Sequence, residues 1–273
     1  MPRPRKALEI FLSVGVGAGM LGIAFQPCQA LAQHSQHGPA SSSPSQATLA
    51  EGGEGGEGGE GGEGGRAASA QTDIDLLVVL AQMQGHLLVA QELLNQQHAS
   101  AAEPHVGHPI DELYGALEPA LERRRIVPFL ATLEDLRQQV RLNPQAPATA
   151  LKLARAQQAI AAAAQALSGG GAADTQMVTA VVRQLAQTAV EEYGASVAEN
   201  RVVEAIEYQD ARGFLLEAQR LLGQAAVRQP ATAAHLREQQ RTIATMLQAF
   251  PTAIPPRTTV MGTAQLQTLQ QQL

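Results

Sequence analysis

From Thr72 to Phe250 the apolar residues recur at helical intervals, and short breaks rich in Pro, Gly and Asn separate the runs. Asp73-Ile-Asp-Leu-Leu opens a first helix to about Gln97, with Leu77, Leu80, Leu87 and Leu94 recurring along it and two acids in the first turn. Pro109 predicts the start of a second helix through Arg124, with a loop before it. Pro128 predicts a third, ending at Leu142 before Asn143-Pro144. Pro147 opens an Ala-rich fourth to Leu167, stopped by Gly169-Gly170-Gly171. A fifth, capped by Asp174 or Thr175, runs to about Val197, turns at Glu199-Asn200 and returns from Val202 to about Leu222. Gln229-Pro230 breaks the chain before a last long helix to Phe250. Pro251, Pro255 and Pro256 then predict a flexible Gln-rich tail over 251–273, with a loose helical turn or two. The expectation is an all-α, up-and-down helical bundle of about seven helices, or two packed sub-bundles. In the second form, 72–168 and 172–250 are joined at the triple glycine, and each half has a long helix, a polar turn and a second long helix.

Composition supports this reading. Aromatic residues make up 3% of the chain and Trp is absent, which disfavours a sandwich or barrel and suits Ala, Leu, Gln and Glu helices. A net charge of −6 with so little stacking surface argues against nucleic acid as a partner. Ahead of the helices, Arg3, Arg5 and Lys6 precede an apolar run to Phe25, and Ala30-Leu31-Ala32 offers a small-x-small cut. Residues 1–32 therefore read as an export signal cleaved after Ala32, or kept as an anchor. The mature chain is expected to be periplasmic or otherwise extracytoplasmic. Cleavage removes the lone cysteine, Cys28, and with it any thiol chemistry. It also takes three cations against Glu9 alone, so the mature chain is the more acidic. Residues 33–71, with Glu-Gly-Gly repeated from Glu51, read as a disordered acidic linker.

The chain shows no catalytic signature. Ser196 lacks the second glycine and the strand of a nucleophile elbow, and the triple glycine lacks the Gly-Lys-Ser/Thr of a phosphate loop. A di-iron carboxylate enzyme would need paired Glu-x-x-His motifs, which are absent. A non-enzymatic protein is the expectation. Four of the seven histidines fall between Met83 and Glu112. His86 shares a helical face with apolar neighbours and needs a polar partner. If the stretch carrying His105 and His108 folds back, His86, His105, His108 and Glu112 converge on one ion, with Met83 as a soft neighbour. Imidazole with carboxylate suits iron, zinc, copper or manganese. The same residues also fit helix starting and core packing, with His108 at an N-cap and Pro109 at N1. A second, acidic cluster includes Glu199, Glu204, Glu207 and Asp210; Glu204 and Glu207 are candidates for a weaker cation site, or a solvated face opposing Arg201 and Arg212.

The run from Tyr193-Gly-Ala-Ser-Val-Ala-Glu-Asn-Arg through Glu207-Tyr208-Gln-Asp to Phe214 resembles the extracytoplasmic helical segment ahead of the membrane domain in bacterial high-affinity iron permeases. The likeness spans residues 174–225, with Tyr193, Glu207 and Tyr208 on its recurrent positions. It implies a soluble accessory of a membrane metal transporter, with iron the favoured ion. The permeases' intramembrane Arg-Glu-x-x-Glu motif is absent, and no segment beyond residue 32 reads as apolar enough to span a bilayer, so no stable membrane insertion of the mature chain is expected. The competing expectation is a metal-free helical interaction module of the periplasm.

Overall fold

The computed structural model describes residues 72–169 and 174–273; the expected signal with its cut after Ala32, Cys28, the linker 33–71 and the junction at 170–173 lie outside the described residues. The first helix, α1 (Asp73–Asn95), starts with a reciprocal cap. Asp75 N–H donates to Thr72 Oγ1 at 3.2 Å and Thr72 N–H donates to Asp75 Oδ2 at 3.0 Å. It ends with Gln97 in the left-handed region at φ 65°, while His98 N–H bonds Leu93 O and Gln97 N–H bonds Leu94 O, the paired closure of a Schellman motif. Between these caps most residues from Leu76 to Leu94 are buried, Gln82, Gln84 and His86 among them, so the helix is packed on nearly all sides.

By length and composition α1 is apolar enough to cross a membrane, which corrects the expectation that no segment beyond residue 32 is. In this molecule that apolar surface is spent on the core. The helix packs against α2 (Ala99–His108), α5 (Pro147–Leu167), α6 (Thr175–Ser196) and α7 (Ala205–Arg228). The helices on either side of the glycine junction thus share α1, and the described residues fall within a single compact unit.

The stretch expected as a loop before Pro109 is helical. Helix α2 runs straight into a π-helical turn, Pro109–Leu113, and then into α3 (Tyr114–Arg124). Pro109 has no N–H to give, and its ring crowds the preceding turn. The chain answers by widening, with Tyr114 N–H reaching Pro109 O instead of ending the helix. Helix α4 (Leu130–Leu142) packs on α2 and α5 through Leu133, Leu136 and Val140. Helix α5 buries Thr149, Leu153, Ala156, Ile160, Ala163 and Leu167, a regular alternation of three- and four-residue steps.

Asp174 caps α6 by accepting from Met177 N–H at 2.7 Å. The Glu199-Asn200 turn is a two-residue hairpin between β1 (Val197–Ala198) and β2 (Arg201–Val202), both turn residues having positive φ (51° and 60°). Helix α7 then pairs with α6, α1 and α8 (Ala233–Met246). The tail departs from expectation. Residues Thr263–Gln270 form α9, packed on α6 and α8 with Leu266 fully buried. The Leu273 carbonyl accepts from Arg183 Nε at 2.7 Å and Gln239 Nε2 at 3.0 Å. Leu266, Leu269 and Leu273 lie on one helical stripe, and that stripe is what docks the segment.

Candidate metal centre

The site is built where α1 and α7 touch backbone to backbone. A Cβ placed on Gly213 would sit 2.5 Å from the Gly85 carbonyl oxygen, and one on Gly85 would sit 2.8 Å from Phe214 Cδ1. Only two glycines permit this approach. It brings His86, next along α1, against Asp210, one turn before Gly213 on α7. The Phe214 ring meets His86 edge-on at 5.1 Å.

Helix α2 supplies the rest. His105 and His108, three residues apart, project from one face of it toward the α1–α7 crossing. The ligand atoms of His86, His105, His108 and Asp210 all lie within 4.8 Å of one another. Asp210 Oδ1 is 2.8 Å from His86 Nδ1 and 2.7 Å from His105 Nδ1, and Oδ2 is 3.6 Å from His108 Nδ1. His86 and His105 are fully buried and Asp210 nearly so. On its other side His105 Nε2 lies 2.8 Å from Gln209 Oε1.

Burial alone would push the Asp210 carboxyl up. The imidazoles of His86 and His105, with hydrogen bonding from His105 and His108, instead hold it well below the usual carboxylate range. Burial likewise pulls His108 down, but hydrogen bonding and charge from Asp210, helped by Glu112, leave it raised. The centre is therefore an ionised carboxylate ringed by three imidazoles. An ion about 2.1 Å from each donor would hold those donors about 3–4.2 Å apart, a spacing comparable to that of this set.

The histidines singled out in the sequence are brought together here. Glu112, in the π turn, stays at the rim, with Oε1 3.8 Å from His108 Nε2. Met83 is buried in the core one turn before His86 on α1. Glu204 is exposed ahead of α7 and Glu207 is buried in its first turn; neither belongs to a group of three or more ligand side chains among the described residues. Asp210 and Gln209 were not recognised as partners of the histidines. A weak sequence signal is the pair of helix-interior glycines, Gly85 and Gly213, two of several in the helices, which cost helix stability unless a close approach requires them.

Around the centre, polar bonds tie the helices and the segment after α8. Arg212 forks onto Glu92 of α1 through Nε at 2.9 Å and Nη2 at 3.1 Å, and Nη1 donates to Phe250 O. Ala253 N–H donates to Glu92 Oε1 at 3.2 Å. Tyr208 Oη donates to Thr252 O at 3.1 Å and Tyr193 Oη to Met261 O at 2.6 Å. Burial raises both phenols, so they stay protonated donors. On the far side of α2, Arg137 bridges Glu103 and Asp111 and thereby fastens α2 to α4.

Residues 168–273 match the family model of the iron permease-associated 4-helix bundle domain. The matched stretch contains α6, α7, α8 and α9 and carries Gln209 and Asp210, whereas the three histidines precede it. No curated protein and no solved structure matches the chain.

Proposed function

We propose that this chain is an exported, non-enzymatic protein that binds a divalent transition metal at His86, His105, His108 and Asp210, and serves a membrane metal transporter as accessory or chaperone. The observation that carries the reading is the convergence of three imidazoles and one ionised carboxylate from three helices within 4.8 Å. Buried charge of that kind is costly without a compensating partner, and a cation is one such partner. Three nitrogens and one oxygen suit Fe²⁺, Mn²⁺ or Zn²⁺ and give no soft sulfur donor for Cu⁺. The iron permease-associated match over 168–273 favours iron as cargo and a permease-type transporter as partner. Four protein donors leave positions open on a six-coordinate ion, as exchange with a transporter requires. The residues around the ion do the positioning: Gly85 and Gly213 set the spacing, Phe214 shields His86, and Glu112 at the rim adds a carboxylate 3.8 Å from His108 Nε2.

The test is a melting midpoint followed during titration of chelator-stripped protein with Fe²⁺ (anaerobic), Mn²⁺, Zn²⁺ and Cu²⁺. An ion at 100 times its Kd stabilises by about 2.7 kcal/mol, a shift of about 5–10 °C for a domain of this size. The shift should be stoichiometric and absent in a His86→Ala/His108→Ala double variant. A metal-free interaction module is the second reading, favoured by the direct bonds of His105 to both Asp210 and Gln209. It expects no shift with any ion and a stability loss from His86→Ala that chelator does not change.

A further inference from the structure

Gln209 links the centre to the segment after α8. Its Nε2 donates to the Ala253 carbonyl at 3.1 Å, and its Oε1 faces His105 Nε2 at 2.8 Å. The Ala253 oxygen is an acceptor with no ambiguity, so it fixes which end of the amide is which. Reversing the amide would set two oxygens against each other at Ala253. With Oε1 toward the ring, His105 Nε2 must carry a proton and donate it. The neutral ring then presents its lone pair at Nδ1, and Nδ1 lies 2.7 Å from Asp210 Oδ1. Two acceptors at that distance need a positive centre shared between them, a proton or a metal ion.

We infer that Gln209 is a positioning residue of the metal centre, which locks His105 in the Nε2–H tautomer so that Nδ1 alone faces the ion beside Asp210. The inference rests on the metal-binding reading above and adds a residue and a ligating atom to it. The bond that one ring nitrogen makes selects the nitrogen left for the metal, and loss of such a support costs 10–100-fold in affinity. Because Ala253 N–H in turn bonds Glu92, the clamp is held from α1 as well as from α7.

The experiment uses the full exported protein labelled with ¹⁵N-histidine, metal-free and loaded with diamagnetic Zn²⁺. Long-range ¹H–¹⁵N correlations report each imidazole nitrogen as protonated, bare or metal-bound. In the wild type, His105 Nε2 should be protonated in both states, and Nδ1 should become metal-bound with Zn²⁺. Gln209→Leu should bind Zn²⁺ about 10–100-fold more weakly and lose the fixed Nε2–H signal. Gln209→Glu, which when protonated is isosteric with glutamine, should restore the Nε2–H signal and so separates the tautomer effect from folding. A bare Nε2 in the wild type overturns the inference, as does a Gln209→Leu protein that binds as tightly with the same nitrogen. Wild type that takes up no Zn²⁺ overturns the metal-binding reading itself, and the inference with it.

Discussion

A carboxylate buried among three imidazoles ties stability to pH from both sides. The Asp210 carboxyl is held below its ordinary value of 3.8, so its contribution is complete above that value and is lost as pH falls toward the lower, folded-state value. His108 is held above its ordinary 6.5, so its contribution is complete below 6.5 and is lost as pH rises through the raised value. In chelator, the stability difference between wild type and Asp210→Asn should therefore peak between pH 4 and 6.5 and shrink on either side. Urea melts across that range read it directly, and a flat difference would separate Asp210 from the histidines energetically. With metal present at neutral pH, the same variant should lose at least about 10-fold in affinity, since it removes the only anionic donor among the four. At this scale the sequence was half legible. His86, His105 and His108 stand out because they crowd a short stretch. Asp210 lies more than a hundred residues away, on a helix whose acids read either as a weaker cation site or as a solvated face, and only the nearby Gly213 hints that this one turns inward.

Helices were read from spacing, and the ones with a clear apolar stripe, such as α5, appear where that stripe predicts. The misreading at α2 has a physical origin. Pro109 reads as a beginning because proline is welcome at a first helical turn. Here it sits inside a continuous helical path, because a π turn relieves its missing N–H. That error turned two histidines on one helical face into two histidines in a loop. Another element-scale feature, the glycine contact of α1 and α7, yields a sharp contrast. Gly213→Ala forces a methyl group to within 2.5 Å of the Gly85 oxygen, and overpacking of that kind costs about 1–3 kcal/mol or more. Separating the two helices should also weaken metal binding, since His86 and Asp210 sit on opposite sides of the crossing. Gly115→Ala in α3 meets nothing within 4 Å and should stabilise by about 0.4–1 kcal/mol. Thermal melts of the two variants check both signs.

For the whole molecule, composition sufficed for an all-α protein and left open whether the two halves flanking a glycine junction share a core. Among the described residues they share one, because α1 is too apolar to lie on any surface and is gripped by helices from both sides of that junction. The tail reads as loose for the opposite reason: its glutamines conceal a three-leucine stripe. If α9 belongs to the core, Leu266→Ala should cost about 2–5 kcal/mol, whereas a substitution in a loose tail changes little. Chemical denaturation distinguishes the two outcomes.

The boundary of the family match has a consequence of its own. It falls at residue 168, between the histidines and their carboxylate. A fragment beginning there would carry the bundle helices yet turn Asp210 from a buried anion into a surface one, with Gly213 facing water where Gly85 had been. The proposed ion site is thus a property of the joint rather than of either piece. Its chemistry is acquired or lost by changing what precedes the bundle, with no substitution inside it. Moving the cluster to another bundle would therefore need the equivalents of Asp210 and Gly213 there as well as the two histidine-bearing helices.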